Sequence, residues 1–591
     1  MKSVTRETDL QERNTLSFIT TLPSAHDSKP TGHLPCSDFF LSGCITKETS
    51  RTPEAWVDQT IAGLSLEKKV AQLVCTEISG NYIAEDDPKL QSWIALARDH
   101  GIGGFVVYGG TPHSMAILLN RLQREADIPI LISTDFEGGP GQQVGGASEF
   151  PANMAFAATG DEDLMYRAAK IMAEEGRAMG IHLSYTPVAD ISLSPNNPQE
   201  SGRSFGGNIP LLGKMIAAYV RGYHEMGMLT TAKHFPGRGD MKGGPVYPSF
   251  TKIDKDSMAI DSLEFRAFRL AVDAGVDFMM TEHIAVPGVT GNDMTASVEP
   301  KLARDVVRGK LGFKGILTSD DLWYDHVIER FGKEDVAVKA MLAGHDIVLK
   351  PKDPVATITA IAAAVREGRL PEAHVDQALR KLLLYKARLG LHENRFVRVD
   401  SVTSHVGTVQ HRQVIQEVAD RSLTMLINNG GLPVKQFNPA KSVHILIQKD
   451  EEYPNGRVLL KEMAAAFPGL KQFTLRPQQS DVWRNEVRQA AVSADKVIIS
   501  FMVQRDRHGD PAPLRKDDIS LLQEIILKKP GNVVAMSFGN PHLSRHLKGI
   551  GVLVVGYGEG GFYGNQIAYI NTWIRFLKGE VEAIGRLPVR L

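Results

Sequence analysis

Two charged segments far apart in the chain carry the chemistry this sequence could perform. Ser319-Asp320-Asp321 ends the apolar run Gly315-Ile316-Leu317-Thr318, and Lys233-His234-Phe235-Pro236-Gly237 lies upstream of it. A carboxylate able to attack a carbon or exchange a proton, gathered with cationic and imidazole groups that bind hydroxyls, suggests a sugar-cleaving site. Three further clusters follow apolar runs in the same way. Ile130-Leu131-Ile132-Ser133 leads to Asp135-Phe136-Glu137-Gly138-Gly139, His182-Leu183-Ser184-Tyr185 to Pro187 and Asp190, and Phe278-Met279-Met280 to Glu282-His283.

Strands buried on both faces read as near-continuous apolar runs, with polar residues where they end. Segments of helical periodicity, such as Leu164 to Met179, Leu211 to Met226 and Leu263 to Ala274, separate these runs. Strand alternating with helix implies a parallel sheet. In a closed βα barrel the active site lies at the C-terminal ends of the strands, so one pocket could collect all five clusters. The expected fold class is therefore α/β, a TIM-type (β/α)8 barrel followed by an α/β sandwich domain. The second domain is read from Val443 to Ile447, Lys496 to Ser500, Val533 to Met536 and Gly551 to Val555, four short apolar runs spaced by helical stretches. A polar, mixed segment from Gly390 to Thr408 follows the helical stretch Val375 to Leu389. The expected divisions are a mobile tail over 1–50, the barrel over 51–392, a linker over 393–420 and the sandwich over 421–591.

The 591 residues are too many for one ordinary core, and a formal charge of −1 offers no attraction to nucleic acid. No apolar stretch reaches the roughly 18 residues of a membrane-spanning helix. Cys36, Cys44 and Cys75 form neither a metal-ligand spacing nor a disulfide framework, and the histidines are scattered, so no metal and no cofactor are expected. Gly556-Tyr557-Gly558-Glu559-Gly560-Gly561 lacks the Lys and Ser/Thr of a phosphate-binding loop and is read as shaping an inter-domain cleft. Leu41-Ser42-Gly43-Cys44 resembles a bacterial lipoprotein processing box, but His33, Pro35 and Asp38 interrupt the apolar region before it. A cytoplasmic location is expected, with export or lipid anchoring at Cys44 as the alternative. Oligomeric state is not legible.

Taken in order, these residues resemble glycoside hydrolase family 3, particularly its β-N-acetylhexosaminidase branch. The resemblance runs through Leu64-Ser65-Leu66-Glu67-Lys68-Lys69-Val70, Gly101-Ile102-Gly103-Gly104, the Asp135 and Lys233 segments, Gly202-Arg203-Ser204-Phe205-Gly206, Ala343-Gly344-His345-Asp346, Gly539-Asn540-Pro541 and Gly585-Arg586-Leu587-Pro588. It implies a retaining exo-glycosidase in which an aspartate, here Asp320, attacks the anomeric carbon and a second group protonates the leaving oxygen. Asp320 would otherwise read as a helix N-cap, the role expected of Asp321. The resemblance also assigns sugar contacts to Asp135 as acceptor and to Arg203, Lys233 and His234 as donors. The plainer alternative for those four is a structural salt-bridge cluster at the barrel mouth, and for Glu137 an anchor for its glycine turn.

Two departures bear on mechanism. The hexosaminidase branch carries an Asp-Ser-His triplet after Lys-His-Phe-Pro-Gly, whereas counting along this loop reaches Gly244-Pro245-Val246, which cannot transfer a proton. An arginine usual after the Glu-Gly-Gly turn is replaced at about Gln143. Candidates for the acid/base are Asp506, before Gly509-Asp510 in the second domain, Asp240 in the altered loop, and Glu282 or His283. The expected function is release of a terminal β-linked sugar, most closely N-acetylglucosamine. Alternatives are a β-glucosidase or xylosidase with an acid from the second domain, a carbohydrate-binding relative without catalysis, and transfer to phosphate rather than water.

Overall fold

The computed structural model describes residues 52–194, 202–239, 250–431, 438–448, 454–476, 479–503, 514–539, 541–558 and 566–591. Residues 51–591 form one compact unit. Its first half is a barrel of eight parallel strands: β1 (Val74–Ser79), β2 (Gly104–Tyr108), β3 (Leu131–Thr134), β4 (Leu183–Ser184), β5 (Thr231–Phe235), β6 (Phe278–Thr281), β7 (Ile316–Ser319) and β8 (Val348–Leu349). One sheet runs β8-β1-β2-β3-β4 and another β5-β6-β7. Parallel bridges at Leu183 with Leu229 and at Thr318 with Ile347 join them into a closed ring.

The residues β3 to β7 were expected to place on strands do lie there, and the helices fall where the periodicity puts them, at Glu162–Ala178, Ile209–Glu225, Glu264–Asp273 and Glu372–Arg388. Local signals set their ends: the Asn208 side chain accepts from Leu211 N and Pro210 follows it, and Asp161 accepts from Asp163 N and Leu164 N. β1, β2 and β8 complete the ring, β8 with only two residues.

The second half is a six-stranded sheet with helices packed against it. Its strands are β9 (Thr424–Asn428), β10 (Ser442–Gln448), β11 (Lys471–Leu475), β12 (Lys496–Met502), β13 (Val533–Ser537) and β14 (Val552–Val555), in the order β9-β14-β13-β12-β10-β11. β9 is antiparallel to β14 and the other pairs are parallel. Two strands thus join the four legible ones: β11 buries only Phe473 and Leu475 and β9 is mostly half-buried, as edge strands do, so neither reads as a continuous apolar run.

The segment expected to be a linker holds the helix Val409–Ser422, which packs on barrel helices Asn153–Thr159 and Glu162–Ala178 and on the C-terminal helix Gln566–Lys578. Backbone hydrogen bonds cross between the halves: Ala152 N to Tyr557 O (2.9 Å), Arg586 N to Ala158 O (2.9 Å) and Gly207 N to Pro588 O (3.0 Å). Of the Gly556–Gly561 segment, Tyr557 thus reaches the barrel at Ala152, while Glu559, Gly560 and Gly561 lie outside the described residues. Cys75 is a buried free thiol, pushed up to about 12 by burial. No helix among the described residues is long and apolar enough to cross a membrane.

Candidate active site

Every barrel strand sends a polar side chain to the C-terminal mouth: Glu77 and Tyr108 from within β1 and β2, Lys233 and His234 from β5, and Asp135, Asp190, Glu282, Asp320 and Lys350 from just beyond the other five. The strand ladder itself fixes several of them. Asp320 N donates to Thr281 O, Glu282 N to Phe235 O and Lys350 N to Cys75 O, each at 2.7 Å, extending the pairing one residue past the strand ends. Lys233, His234, Asp190, Glu282, Asp320 and Lys350 are buried and Glu77 is exposed at the rim; Asp135, with 22% of its side chain exposed, faces outward more than Lys233 at 4%.

On one side lies an ion-pair cluster. Glu137 accepts from Arg203 Nε at 2.8 Å and Nη2 at 2.7 Å, the bidentate geometry of a strong pair. Lys233 Nζ lies 2.7 Å from Glu137 and 2.6 Å from Asp135, whose other oxygen accepts from Tyr108 at 2.8 Å. Burial pushes the Glu137 carboxyl up, but Arg203 and Lys233 outweigh it and hold it well below the usual range. Burial pulls Lys233 down, and Asp135 and Glu137 more than offset that, so its ammonium is held above the ordinary lysine value. Glu137 is thus the common anchor of two expected sugar-binding cations, beyond the turn role expected for it. The turn is there as well: Gly139 has φ +82°, and a Cβ on it would meet Phe150 and Ser148 O at 2.9 Å.

His234 was expected to donate to substrate, and its surroundings assign it otherwise. Its Nδ1 lies 2.7 Å from Asp190, and its Nε2 lies 3.4 Å from Arg203 Nη2. Burial, then Arg238, Arg203 and Lys233, holds the imidazole well below its usual value, so it is neutral. With the Nδ1 hydrogen given to the Asp190 carboxylate, Nε2 is an acceptor. Asp190 also accepts from the backbone N–H groups of His234 and Arg238 (2.9 Å for the latter), although burial raises it to about 6 against the pull of Arg238.

On the other side stands Asp320. Its Oδ1 accepts from Asp321 N at 2.7 Å, and its Oδ2 lies 3.4 Å from Arg238 Nη2. It caps no helix. Asp321 does not either: its Oδ2 takes Lys350 at 2.8 Å, Trp323 Nε1 at 3.2 Å and the Tyr324 hydroxyl at 3.4 Å, while the next helix begins at Asp325 without a side-chain cap. The cap reading fails because the nearby lysine outcompetes backbone N–H groups for this carboxylate. Burial, Glu282 and Asp321 raise Asp320 well above the usual carboxylate range, with Arg238 and the Asp321 N–H opposing them.

Glu282 and His283 do not fit a proton-transfer role. Arg238 donates to Glu282 Oε2 through Nε (2.7 Å) and through Nη2, and His283 N donates to Oε1 at 2.8 Å. Burial pushes Glu282 up, yet Arg238 and His283 outweigh it and bring it down to about 2, so it remains a carboxylate. His283 uses both ring nitrogens internally, Nδ1 with Ser297 at 2.8 Å and Nε2 with Asp321 O at 2.9 Å. Asp240 and Asp506 lie outside the described residues, as do the Gly244-Pro245-Val246 positions. Among the described residues, no group of His, Cys, Asp and Glu is arranged to hold a metal.

The fold and the mouth define an α/β enzyme with a barrel active site. The glycosyl hydrolase family 3 N-terminal domain matches residues 65–384, more than half of the chain. A β-N-acetylglucosaminidase/β-glucosidase of Cellulomonas fimi is 31% identical over 391 residues, which are 64% of this chain and 68% of that one. The matched parts span 59 to 68% of the lengths of several curated relatives. Among solved structures, a family 3 β-N-acetylglucosaminidase from Paenibacillus sp. str. FPU-7 aligns with a TM-score of 0.75 and 25% identity, covering 89% of this chain and 99% of that one. A β-glucoside phosphorylase bound to 2FGlc aligns with a TM-score of 0.80 at 21% identity, over 92% and 97% of the two chains. The chain belongs to glycosyl hydrolase family 3. It is a glycoside hydrolase of the β-glycosidase kind.

Proposed function

We propose that the chain is a retaining exo-β-glycosidase that removes a terminal non-reducing N-acetylglucosamine through a covalent glycosyl–Asp320 intermediate. The observation that carries this reading is the continuous run of polar contacts at one end of the barrel. It passes from Asp135 through Lys233, Glu137, Arg203, His234, Asp190 and Arg238 to Asp320. Asp135 faces the opening and suits a sugar hydroxyl as acceptor; Lys233, Arg203 and His234 line the same wall. The names of the Cellulomonas and Paenibacillus relatives support N-acetylglucosamine first and glucose second.

In the first step the ionised Asp320 carboxylate attacks the anomeric carbon as the glycosidic bond breaks, and an acid gives the leaving oxygen its proton. In the second, water attacks the same carbon, releases Asp320 and yields its proton to the now basic partner. Asp240 and Asp506 are the candidates for that partner, since Glu282 stays ionised and His283 is fully engaged.

The test is hydrolysis of aryl β-N-acetylglucosaminide against aryl β-glucoside, with and without phosphate, by the wild type and by Asp320→Asn, Asp240→Asn and Asp506→Asn. Asp320→Asn is expected to lose roughly three to five orders of magnitude in rate with folding intact. The variant lacking the acid should keep activated aryl leaving groups and lose poor ones. A wild type that cleaves neither substrate would favour the carbohydrate-binding alternative, and turnover dependent on phosphate would favour transfer over hydrolysis.

A further inference from the structure

The reading above gives Arg238 and Glu282 no chemical role, yet Arg238 reaches the oxygen of Asp320 that is not tied to a backbone N–H and is itself held by Glu282. The guanidinium comes from the loop after β5 and is buried between carboxylates that follow β6 and β7. Its partition between them is unequal. Nε lies 2.7 Å from Glu282 Oε2 and Nη2 is closer to the same oxygen than to Asp320, whose Oδ2 it meets at 3.4 Å. Charge-assisted N–H to carboxylate bonds are normally about 2.7–2.9 Å, so the contact with Asp320 is long while the contact with Glu282 is full strength.

This inequality suits a nucleophile. A carboxylate locked in a bidentate pair with arginine would have its lone pairs occupied, while one left without any cation in a buried site would take up a proton. Resting on Asp320 as nucleophile, we propose that Arg238 and Glu282 form a positioning pair: Arg238 keeps Asp320 ionised, and Glu282 holds the guanidinium back so that Oδ2 stays open to the anomeric carbon. Among the described residues, Asp321, itself paired with Lys350, also faces Asp320, and Asp190 and His234 face the Arg238 backbone and side chain. None of these joins Asp320 to Glu282.

The pair predicts opposite displacements of one observable, the acid limb of the pH profile of kcat/KM, which reports the free enzyme's ionisations. Arg238→Gln removes the cation, so Asp320 binds its proton more tightly and the limb moves up by about one unit or more. Glu282→Gln removes a like charge and releases Arg238 toward Oδ2, so the limb moves down, with slower glycosylation at high pH. Arg238→Lys keeps the charge and is expected to hold the limb near the wild-type position, which separates charge from bulk and serves if Arg238→Gln does not fold. Trapping the wild type with the 5-fluoro glycosyl fluoride of whichever sugar it cleaves, followed by peptide mass spectrometry, tests Asp320 separately. Label on another residue sinks the nucleophile reading. Label on Asp320 with limbs that stay put, or move in the same direction in the two Gln variants, overturns the positioning pair.

Discussion

Asp320 is held by two unlike interactions, a short backbone N–H to Oδ1 and a long guanidinium contact to Oδ2, within a buried pocket that contains two other carboxylates. Burial and those neighbours favour its protonated form, and a protonated carboxylate does not attack. The sign follows: as pH falls, Asp320 takes up a proton and kcat/KM drops, so the acid limb is expected above the usual carboxylate range of about 4. A pH profile with an activated aryl glycoside checks it; a limb at or below 4 would contradict the burial seen here. At this scale the sequence was readable for position, since Asp320, Asp135, Lys233 and His234 all lie at the C-terminal ends of the strands their apolar runs mark. It was not readable where a role depends on a partner from another strand. Arg238 pairs with Glu282, Lys350 with Glu77 and Asp321, and Arg203 with Glu137, and none of those pairings has a spacing signal. The partner of His234 was hidden for the same reason, since Asp190, noted only as a polar residue after β4, lies 2.7 Å from its Nδ1.

The helix Glu372–Arg388 brings one lysine into the barrel at the end opposite the mouth. Lys386 Nζ donates to Gln72 Oε1 at 2.8 Å and to Gly103 O at 2.9 Å, two neutral acceptors, and burial brings it down to about 7. The unfolded chain keeps this lysine near 10.4, so between about pH 7 and 10 the unfolded state binds the extra proton. Stability is therefore expected to rise with pH across that window, by on the order of a few kcal/mol, and to be lowest below it. Urea melts at pH 6.5 and 9 measure this, and Lys386→Met should flatten the dependence; a wild type equally stable at both would refute it. Strands β3 to β7 were legible from apolar runs that end in charged clusters, while β1, β2 and β8 were not read from the sequence, and the edge strands β9 and β11 were missed because their burial is partial.

Across the whole molecule, the barrel and the second sheet share buried contacts through the helix Val409–Ser422. The side chain of Glu175 is fully buried at that junction, accepting from Ser148 N at 2.8 Å, Gly407 N at 2.9 Å and His411 Nδ1 at 2.6 Å. Glu175→Ala leaves those donors unsatisfied and is expected to cost about 3 kcal/mol, seen as a lower midpoint in a thermal or urea melt. A change within about 0.5 kcal/mol would mean the junction does not depend on it. The polar segment near residue 400 reads as a spacer from composition alone, since a helix buried by a distant domain looks ordinary in sequence.

The turn Gly202-Arg203-Ser204-Phe205-Gly206 is completed from far downstream: Gly206 has φ +105°, a Cβ there would meet Pro588 O at 2.5 Å, and Gly207 N donates to that same oxygen. A ribosome therefore finishes the barrel's own strands well before it supplies the peptide that seats this turn. The turn beside Arg203 is therefore closed by a contact between opposite halves of the molecule, and it forms only when the segment carrying Pro588 has docked against the barrel.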